Sequence, residues 1–331
     1  MNAFEPLLMA ACRLKRGGII LNYHTLDAQE TRRHVEWLAR HFDLIPHAEL
    51  LPRQHRRARR PFCLISFDDG KRSNYTETAP VLARMGVPAV FFVVTEFVTA
   101  GEHPLWFDRY ESLLRRSGAL PPSLDPGALK LLPHDMRAER VRRACERAGV
   151  EVDMDDDRVA PMSWDQVREL CRQGHTIGAH TRWHAILTNE PLEAAKADIR
   201  ASIETVSAET GAPCRTFSFP NGNYTARLGR YALSCGVETV MTTEPIWVAR
   251  GIQSWRLPRI QIHGNQPFGR QVAKLSLASL GRVLENPDGT GRFYVRMQRE
   301  TARREPAEAE ADSSPADGPS RGASPMDATP R

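Results

Sequence analysis

The sequence predicts an α/β fold built on a parallel sheet, and three observations support this prediction. Short apolar runs rich in β-branched and aromatic residues, such as Phe62–Phe67, alternate with segments of helical periodicity. The connections between them are short, as is typical of strand–helix–strand units. The length of 331 residues suits one large domain, as in α/β barrels, or two small ones, and the hydrophobic fraction of 41% is enough for a sizeable core.

The predicted elements of the first part of the chain alternate between strand and helix. They are a strand at 18–24, a helix at 29–42, a strand at 62–67, a helix through 80–82 and a strand at 88–94. The first strand is a β-branched run that ends in Tyr23 and His24. The helix at 29–42 is indicated by the spacing of Val35, Leu38 and Phe42.

Residues 100–160 interrupt this alternation, so we interpret them as an insertion that caps a groove. They contain prolines at 121, 122, 126 and 133, a charged helix at about 137–148 and an acidic run at 153–157. The acidic run lacks the glycine and the terminal glutamate of an EF-hand. We therefore predict a solvated loop there and not a calcium site.

After the insertion the alternation resumes. The predicted elements are a helix capped by Ser163 and closed by Gly174, a strand ending at His180, a helix at 191–209, a strand at Phe217, a helix at 226–234, a strand at 238–242, an extended stretch at 255–260 and a final helix at 268–284. We expect one domain over 18–298, followed by a disordered tail at 299–331 whose composition is almost free of large apolar residues.

The N-terminal segment 1–17 has its basic residues after its apolar run, which is not the order of a secretion signal. It either packs on the body or forms an amphipathic helix in peripheral contact with an anionic membrane surface. The basic run from Arg53 to Arg60 is either a solvated face or a contact for anionic lipid or a diphosphate-linked glycan.

Charge and cysteine content narrow the expected partners and location. The net charge of +5 favours anionic surfaces or sugars, and nucleic acid is not among the expected partners. The 6 cysteines include no Cys-x-x-Cys pair, so we expect reduced thiols in a cytoplasmic protein. The sequence indicates no oligomeric state.

Two adjacent aspartates, Asp68 and Asp69, follow the strand at 62–67 and precede Gly70. Successive strand side chains point to opposite faces, so the pair can serve one site only where the backbone turns, as Gly70 permits. Two close carboxylates repel each other unless a cation or a proton lies between them. The pair is therefore either one side of a metal site or a surface turn closed by an Asx bond.

Further along the chain, an apolar stretch ends at His180, and His184 follows. Two histidines at this spacing share one face of a helical turn. Imidazole with carboxylate is a normal set of zinc ligands. A lone histidine here would more often be structural, but the combination with Asp68 and Asp69 favours a metal site.

These segments resemble the polysaccharide deacetylases with the NodB homology domain, carbohydrate esterase family four. Residues 66–70 match the first motif of that family and residues 180–184 match the second. Residues 217–222, Phe-Ser-Phe-Pro-Asn-Gly, are similar to the proline-containing wall of its active-site groove. The resemblance covers about residues 20–265 and implies a distorted (β/α)7-type barrel with its active site at the carboxyl ends of the strands.

The resemblance also implies a chemistry, the removal of N-acetyl groups from the amino sugars of a polysaccharide, an exopolysaccharide or a glycan precursor. Asp69, His180 and His184 are then expected to hold a divalent metal, Zn²⁺ or alternatively Co²⁺ or Ni²⁺. Asp68 is expected to act as the general base. Pro220 and Asn221 are expected to line the groove, with the backbone N–H of Asn221 stabilising the oxyanion.

Two positions depart from the family pattern. The family's C-terminal histidine motif is missing, and His24 resembles the catalytic acid of members with a circularly permuted motif order; the alternative is a structural histidine. Barrel closure makes the first and last strands neighbours, so the permutation keeps the site geometry. The arginine that orients the base is also missing from the third motif, and Arg256 or Arg259 is the candidate replacement.

Two other functions stay open from the sequence, a hydrolase of other linear amides on the same scaffold and an inactive glycan-binding protein. An amide hydrolase would lack an open groove for a glycan. A binding protein would be expected to have lost one of the residues at 68, 69, 180 and 184, and all of them are present. The sequence therefore favours a deacetylase that acts on an N-acetylated glycan.

Overall fold

The computed structural model describes residues 17–55, 60–264 and 266–279. Its strands are β1 (Gly18–Tyr23), β2 (Asp43–Leu44), β3 (Phe62–Phe67), β4 (Val90–Val93), β5 (Thr176–Ala179), β6 (Thr216–Ser218), β7 (Thr239–Met241) and β8 (Ile260–Gln261). The helices are α1 (Ala28–His41), α2 (Leu50–His55), α3 (Ala79–Met85), α4 (Thr95–Ala100), α5 (Trp106–Ser117), α6 (Pro126–Leu129), α7 (His134–Ala148), α8 (Trp164–Arg172), α9 (Leu192–Thr210), α10 (Ala226–Ser234) and α11 (Phe268–Ser279).

The strands form one curled sheet in the order β7-β6-β5-β4-β3-β1-β8, with β2 paired on β3. Every pairing between these strands is parallel. At the far edge, Met241 of β7 forms a parallel bridge with Leu257, shortly before β8, so the two edges of the sheet approach each other. The predicted α/β class and distorted seven-stranded barrel are confirmed.

Alternating side chains of the strands build two apolar layers. Ile19, Ile65 and Phe91 point outward into the larger cluster, where helices pack against the sheet. Ile20 and Leu64 point inward into a smaller cluster that fills the barrel. Because both faces are covered, β1, β3 and β4 are buried along their whole length, which explains their nearly continuous apolar sequences.

Local capping fixes where several helices begin. Ser163 caps α8 and exchanges hydrogen bonds with Gln166 in a capping box, as predicted for this serine. Asp27 and Glu30 form the same arrangement at the start of α1. The predicted helix at 226–234 coincides with α10.

Residues 100–160 form helices α5, α6 and α7, which lie between α4 and α8 in the chain. These helices share a small apolar core that includes Trp106, Leu129 and Val141. One end of the acidic run is tied to the body, since Asp157 pairs with Arg72 and accepts a hydrogen bond from Thr76.

Some predictions fall wholly or partly outside the described residues. These are the N-terminal segment at 1–16, the tail at 299–331, the end of the final helix beyond Ser279, and Arg56, Arg57 and Arg59 of the basic run. Of the same run, Arg53 pairs with Asp43, and Arg60 donates to the carbonyls of Ala39 and Phe42.

Cysteines and hydropathy give two further observations. The cysteines within the described part of the chain are free thiols, namely Cys63, Cys145, Cys171, Cys214 and Cys235. Among the helices of that same part, none combines the length and apolar character that crossing a membrane requires.

Candidate active site

The end of β3 places two carboxylates at the carboxyl edge of the sheet. The Asp68 N–H donates to the Tyr23 carbonyl at 2.9 Å, which continues the parallel pairing with β1 by one step. Asp69 then adopts a left-handed φ of 77° and Gly70 a φ of 76°, so the chain turns sharply. A Cβ at Gly70 would also meet Val93 at 3.1 Å, so this position favours glycine.

The two histidines approach each other through a loop, and the prediction of a shared helical turn is wrong. His180 follows β5, where its N–H donates to the Val93 carbonyl at 2.9 Å. Thr181 and His184 then have left-handed φ values of 64° and 57°, which no right-handed helical turn contains. The loop folds back so that the two imidazole centroids lie 5.1 Å apart.

Asp69, His180 and His184 form a cluster whose candidate ligand atoms all lie within 4.8 Å of one another. Asp69 Oδ1 is 3.4 Å from His184 Nε2 and 3.8 Å from His180 Nε2. Ligands about 2.1 Å from a tetrahedral zinc ion are about 3.4 Å apart, so these spacings suit such an ion. Asp69 Oδ1 is buried without a hydrogen-bond partner, as expected of an oxygen that binds a cation.

Hydrogen bonding and burial prepare these side chains for a cation. His180 Nδ1 donates to the Ser218 carbonyl at 2.8 Å, which leaves the Nε2 lone pair facing Asp69. Burial lowers the pKa of His180 and of His184, so both imidazoles are neutral, the form that binds metals. Burial also raises the pKa of Asp69 to about 7, and a bound cation would favour its ionised form.

Asp68 is held by a buried arginine. Arg259 donates from Nη1 to Asp68 Oδ1 at 2.7 Å and from Nη2 to Oδ2 at 2.8 Å. Burial alone would raise the pKa of Asp68, but the Arg259 guanidinium, with His180, lowers it to about 2. Arg259 is itself fully buried, and it also donates to the hydroxyls of Ser66 and Ser218. Asp68 is therefore an ionised carboxylate in a fixed orientation.

Of the two candidate arginines, only Arg259 reaches Asp68 in the described structure. Arg256 instead pairs with Glu244 at 2.6 Å, and Glu244 also accepts a hydrogen bond from Tyr224. β8 pairs with β1, the neighbour of β3, so that Ile260 is aligned with Leu21, and the long side chain of Arg259 reaches Asp68 from the residue before Ile260. Arg256 precedes it by three residues and lies at the rim of the barrel, with 36% of its side chain exposed.

His24 and Asp68 follow neighbouring strands side by side, because the β1–β3 register pairs Tyr23 with Phe67. The pKa of His24 is lowered, because the effect of burial outweighs the opposite effect of the nearby Asp68 carboxylate. Asn221 and Pro220 lie in a short turn directly after β6, the strand next to β5. Asn221 has a left-handed φ of 56°, and its amide donates to Asn223 at 2.5 Å.

Several residues of this region were not predicted from the sequence. Ser218 supplies both a carbonyl to His180 and a hydroxyl to Arg259. Lys71 and Asp108 form a buried ion pair directly beyond Gly70. Ser218 lies in the predicted third motif, where attention to its alternation with Phe217 and Phe219 would have indicated an inward side chain. Asp108 carries no such signal, because it lies in a charged helix 37 residues away from Lys71.

Arg259→Gln is expected to lower the free energy of unfolding by about 3–5 kcal/mol, because it leaves Asp68 as an unpaired buried charge. Denaturant unfolding followed by circular dichroism measures this change. Arg256→Gln is the matched control. It leaves Glu244, whose side chain is 3% exposed, with the hydrogen bond from Tyr224, so we expect a smaller loss. Equal losses in the two variants would contradict the distinction between the two arginines.

More than half of the chain matches one known protein family. Residues 55–240 match the family model described as polysaccharide deacetylase. No curated protein matches the chain.

Solved structures with the same fold include IcaB from Ammonifex degensii, with 16% identity, a TM-score of 0.55, and coverage of 80% of this chain and 97% of that one. Streptococcus pyogenes deacetylase PplD gives 12% identity, a TM-score of 0.55, and coverage of 80% and 99%. The BpsB deacetylase domain from Bordetella bronchiseptica gives 18% identity, a TM-score of 0.51, and coverage of 74% of this chain and 96% of that one. At these identities the likeness concerns the fold, whereas the family model covers more than half of the chain. The chain belongs to the polysaccharide deacetylase family.

Proposed function

We propose that this protein is a metal-dependent hydrolase that removes N-acetyl groups from amino sugars of a polysaccharide or glycan precursor. The observation that supports the proposal best is the convergence of Asp69, His180 and His184 beside Asp68 at the carboxyl edge of the barrel. Membership of the deacetylase family supports the choice of an N-acetylated glycan as the substrate class. The cytoplasmic location stays a prediction from the sequence.

Asp69, His180 and His184 would hold the metal, for which Zn²⁺ is the best candidate given one carboxylate and two imidazoles. When bound, such an ion polarises a carbonyl and lowers the pKa of a coordinated water toward about 7. The side chains supply three ligands, which suits a catalytic site that keeps a position for water and substrate.

Asp68 would accept the proton of the attacking water. Its pKa of about 2 keeps it ionised, and the two bonds from Arg259 fix its orientation. Asp68 Oδ2 lies 3.8 Å from His180 Nε2, so the base is next to the metal ligands. Asn221, in the turn after β6, would direct its backbone N–H toward the developing oxyanion.

His24 would protonate the departing amine, since amine expulsion requires a proton and His24 follows the strand next to Asp68. His24→Ala is expected to keep its metal and to lose far more activity on an N-acetylglucosamine oligomer than on an acetate ester with a phenolate leaving group. The phenolate leaves without much protonation. Acetate release from the two substrates, measured side by side, gives the comparison.

Equal losses on the amide and on the activated ester would assign His24 a structural role. The same two substrates are assayed with His263→Ala, because His263, which follows β8, is the alternative candidate for the proton donor. A selective loss of amide hydrolysis in that variant would move the proton donor from His24 to His263.

The direct test of the proposed activity is a substrate panel. Purified protein with bound zinc is expected to release acetate from N-acetylglucosamine oligomers and not from small linear amides without a sugar. Release from the small amides alone would identify another amide hydrolase on the same scaffold. Binding of the oligomers without any acetate release would identify a glycan-binding protein.

A further inference from the structure

Helix α5 of the insertion contacts both loops that carry the candidate metal ligands, through two consecutive residues. The Phe107 ring packs edge-on against the His184 imidazole, with centroids 5.0 Å apart. Asp108 pairs with Lys71, which lies two residues after Asp69 in the turn that follows β3. One short helix therefore links the Asp69 loop to the His184 loop.

The Lys71–Asp108 pair is enclosed by the insertion. The side chains of Lys71 and Asp108 are 3% and 8% exposed. Lys71 Nζ also donates to the Val159 carbonyl at 3.1 Å and lies 5.2 Å from the centroid of the Phe107 ring. A buried ion pair contributes little net stability compared with apolar packing, so specificity of geometry is the better account of its presence.

Both ligand loops have backbones that need support from outside the loop. Asp69 and His184 each have a left-handed φ, at 77° and 57°, without being glycine. Such conformations are unfavourable for residues other than glycine and persist only where the surroundings fix them. The His184 loop has a further contact with the insertion, because Arg137 of α7 donates to the His184 carbonyl at 3.5 Å.

We propose that Phe107 and Asp108 are positioning residues that hold His184 and Asp69 at ligand spacing before a metal binds. Phe107 limits the rotation of the His184 imidazole by packing on it, and Asp108 fixes the turn after Asp69 through Lys71. The inference rests on the proposed function to the extent that the Asp69, His180 and His184 cluster binds a metal. It gives the insertion a role in forming the site, in addition to any cover it provides.

Metal affinity of the full-length protein tests this inference. Phe107→Leu and Asp108→Asn are each expected to bind Zn²⁺ about 10- to 100-fold more weakly than the wild type, the effect typical of residues that orient ligands. The visible spectrum of the Co²⁺ form should change in both variants, because it reports ligand geometry. Phe107→Tyr keeps the aromatic ring, so this variant should have the Zn²⁺ affinity and the Co²⁺ spectrum of the wild type. Phe107→Leu changes no charge, so its loss of affinity cannot come from an unpaired Lys71.

Two control variants separate positioning from general destabilisation. Asp157→Asn breaks the partly exposed pair with Arg72, the residue next to Lys71, and should leave Zn²⁺ affinity unchanged. Leu129→Val loosens the core of the insertion and should lower the free energy of unfolding without a change in affinity. If Asp108→Asn does not fold, Phe107→Leu decides the question alone.

Folded Phe107→Leu protein with wild-type Zn²⁺ affinity and an unchanged Co²⁺ spectrum would overturn the inference. If the wild-type protein still binds metal and releases acetate, that result for Phe107→Leu overturns only this inference and leaves the proposed function intact. Wild-type protein that binds no metal would overturn the proposed function and this inference together.

Discussion

Replacing Asp69, His180 or His184 by alanine is expected to abolish metal binding and acetate release together. Each variant leaves only two protein ligands, whereas a catalytic zinc site that keeps a water position uses three. Metal content after desalting, measured by elemental analysis, and acetate release from an N-acetylglucosamine oligomer should fall in parallel. The three ligand atoms lie within 4.8 Å of one another, as expected of ligands that share one ion. The loss of any one of them is therefore expected to have the largest effect among the predicted changes.

His175→Asn is the matched control for these variants. His175 precedes β5 and is buried, but its Nδ1 accepts a hydrogen bond from the Ala89 N–H instead of facing the cluster. An asparagine oxygen can replace that acceptor, so this variant should keep its metal and its activity. Stoichiometric metal in a protein that lacks His184 would show that the ligand assignment is wrong.

Asp68→Asn is expected to retain the metal and to lose about 10²- to 10⁴-fold in kcat, the usual contribution of a general base. Asparagine has nearly the same size but no charge and little basicity. Metal content and acetate release measured on the same preparation separate this variant from the ligand variants. Since Arg259 loses its charged partner, stability is measured as well, and the assay is run where the variant is folded.

Near-normal turnover by Asp68→Asn would remove Asp68 from the mechanism. Loss of metal in this variant would instead make Asp68 a ligand, which the present geometry disfavours. Both oxygens of Asp68 accept hydrogen bonds from Arg259, and Oδ2 is 3.8 Å from His180 Nε2. The metal content of Asp68→Asn therefore distinguishes a base from a ligand.

The elements that could be predicted from the sequence are those governed by local preference. The apolar, β-branched runs predict β1 and β3, and the cap at Ser163 predicts the start of α8. The sequence also predicts the Asp68–Asp69 pair and His180 at strand ends, because each follows an apolar run directly. The carboxyl ends of parallel strands meet at one edge of the sheet, so these residues lie close together.

The remaining features depend on contacts between distant parts of the chain. The conformation of the His184 loop departs from a helical turn because Thr181 and His184 take left-handed backbone angles, which no residue preference at these positions indicates. The choice of Arg259 over Arg256 follows from the register between β8 and β1, which the hydrophobic pattern alone does not define. The contacts of Phe107 and Asp108 join the insertion to the site across long stretches of sequence.

The most direct test of metal-dependent deacetylation is acetate release by the same protein sample with and without metal. Protein stripped by a chelator should release no acetate from an N-acetylglucosamine oligomer. Addition of one equivalent of Zn²⁺ should restore the activity, with saturation at one ion per chain. Equal acetate release by the stripped and the reloaded protein would contradict the account, and so would the absence of release from both.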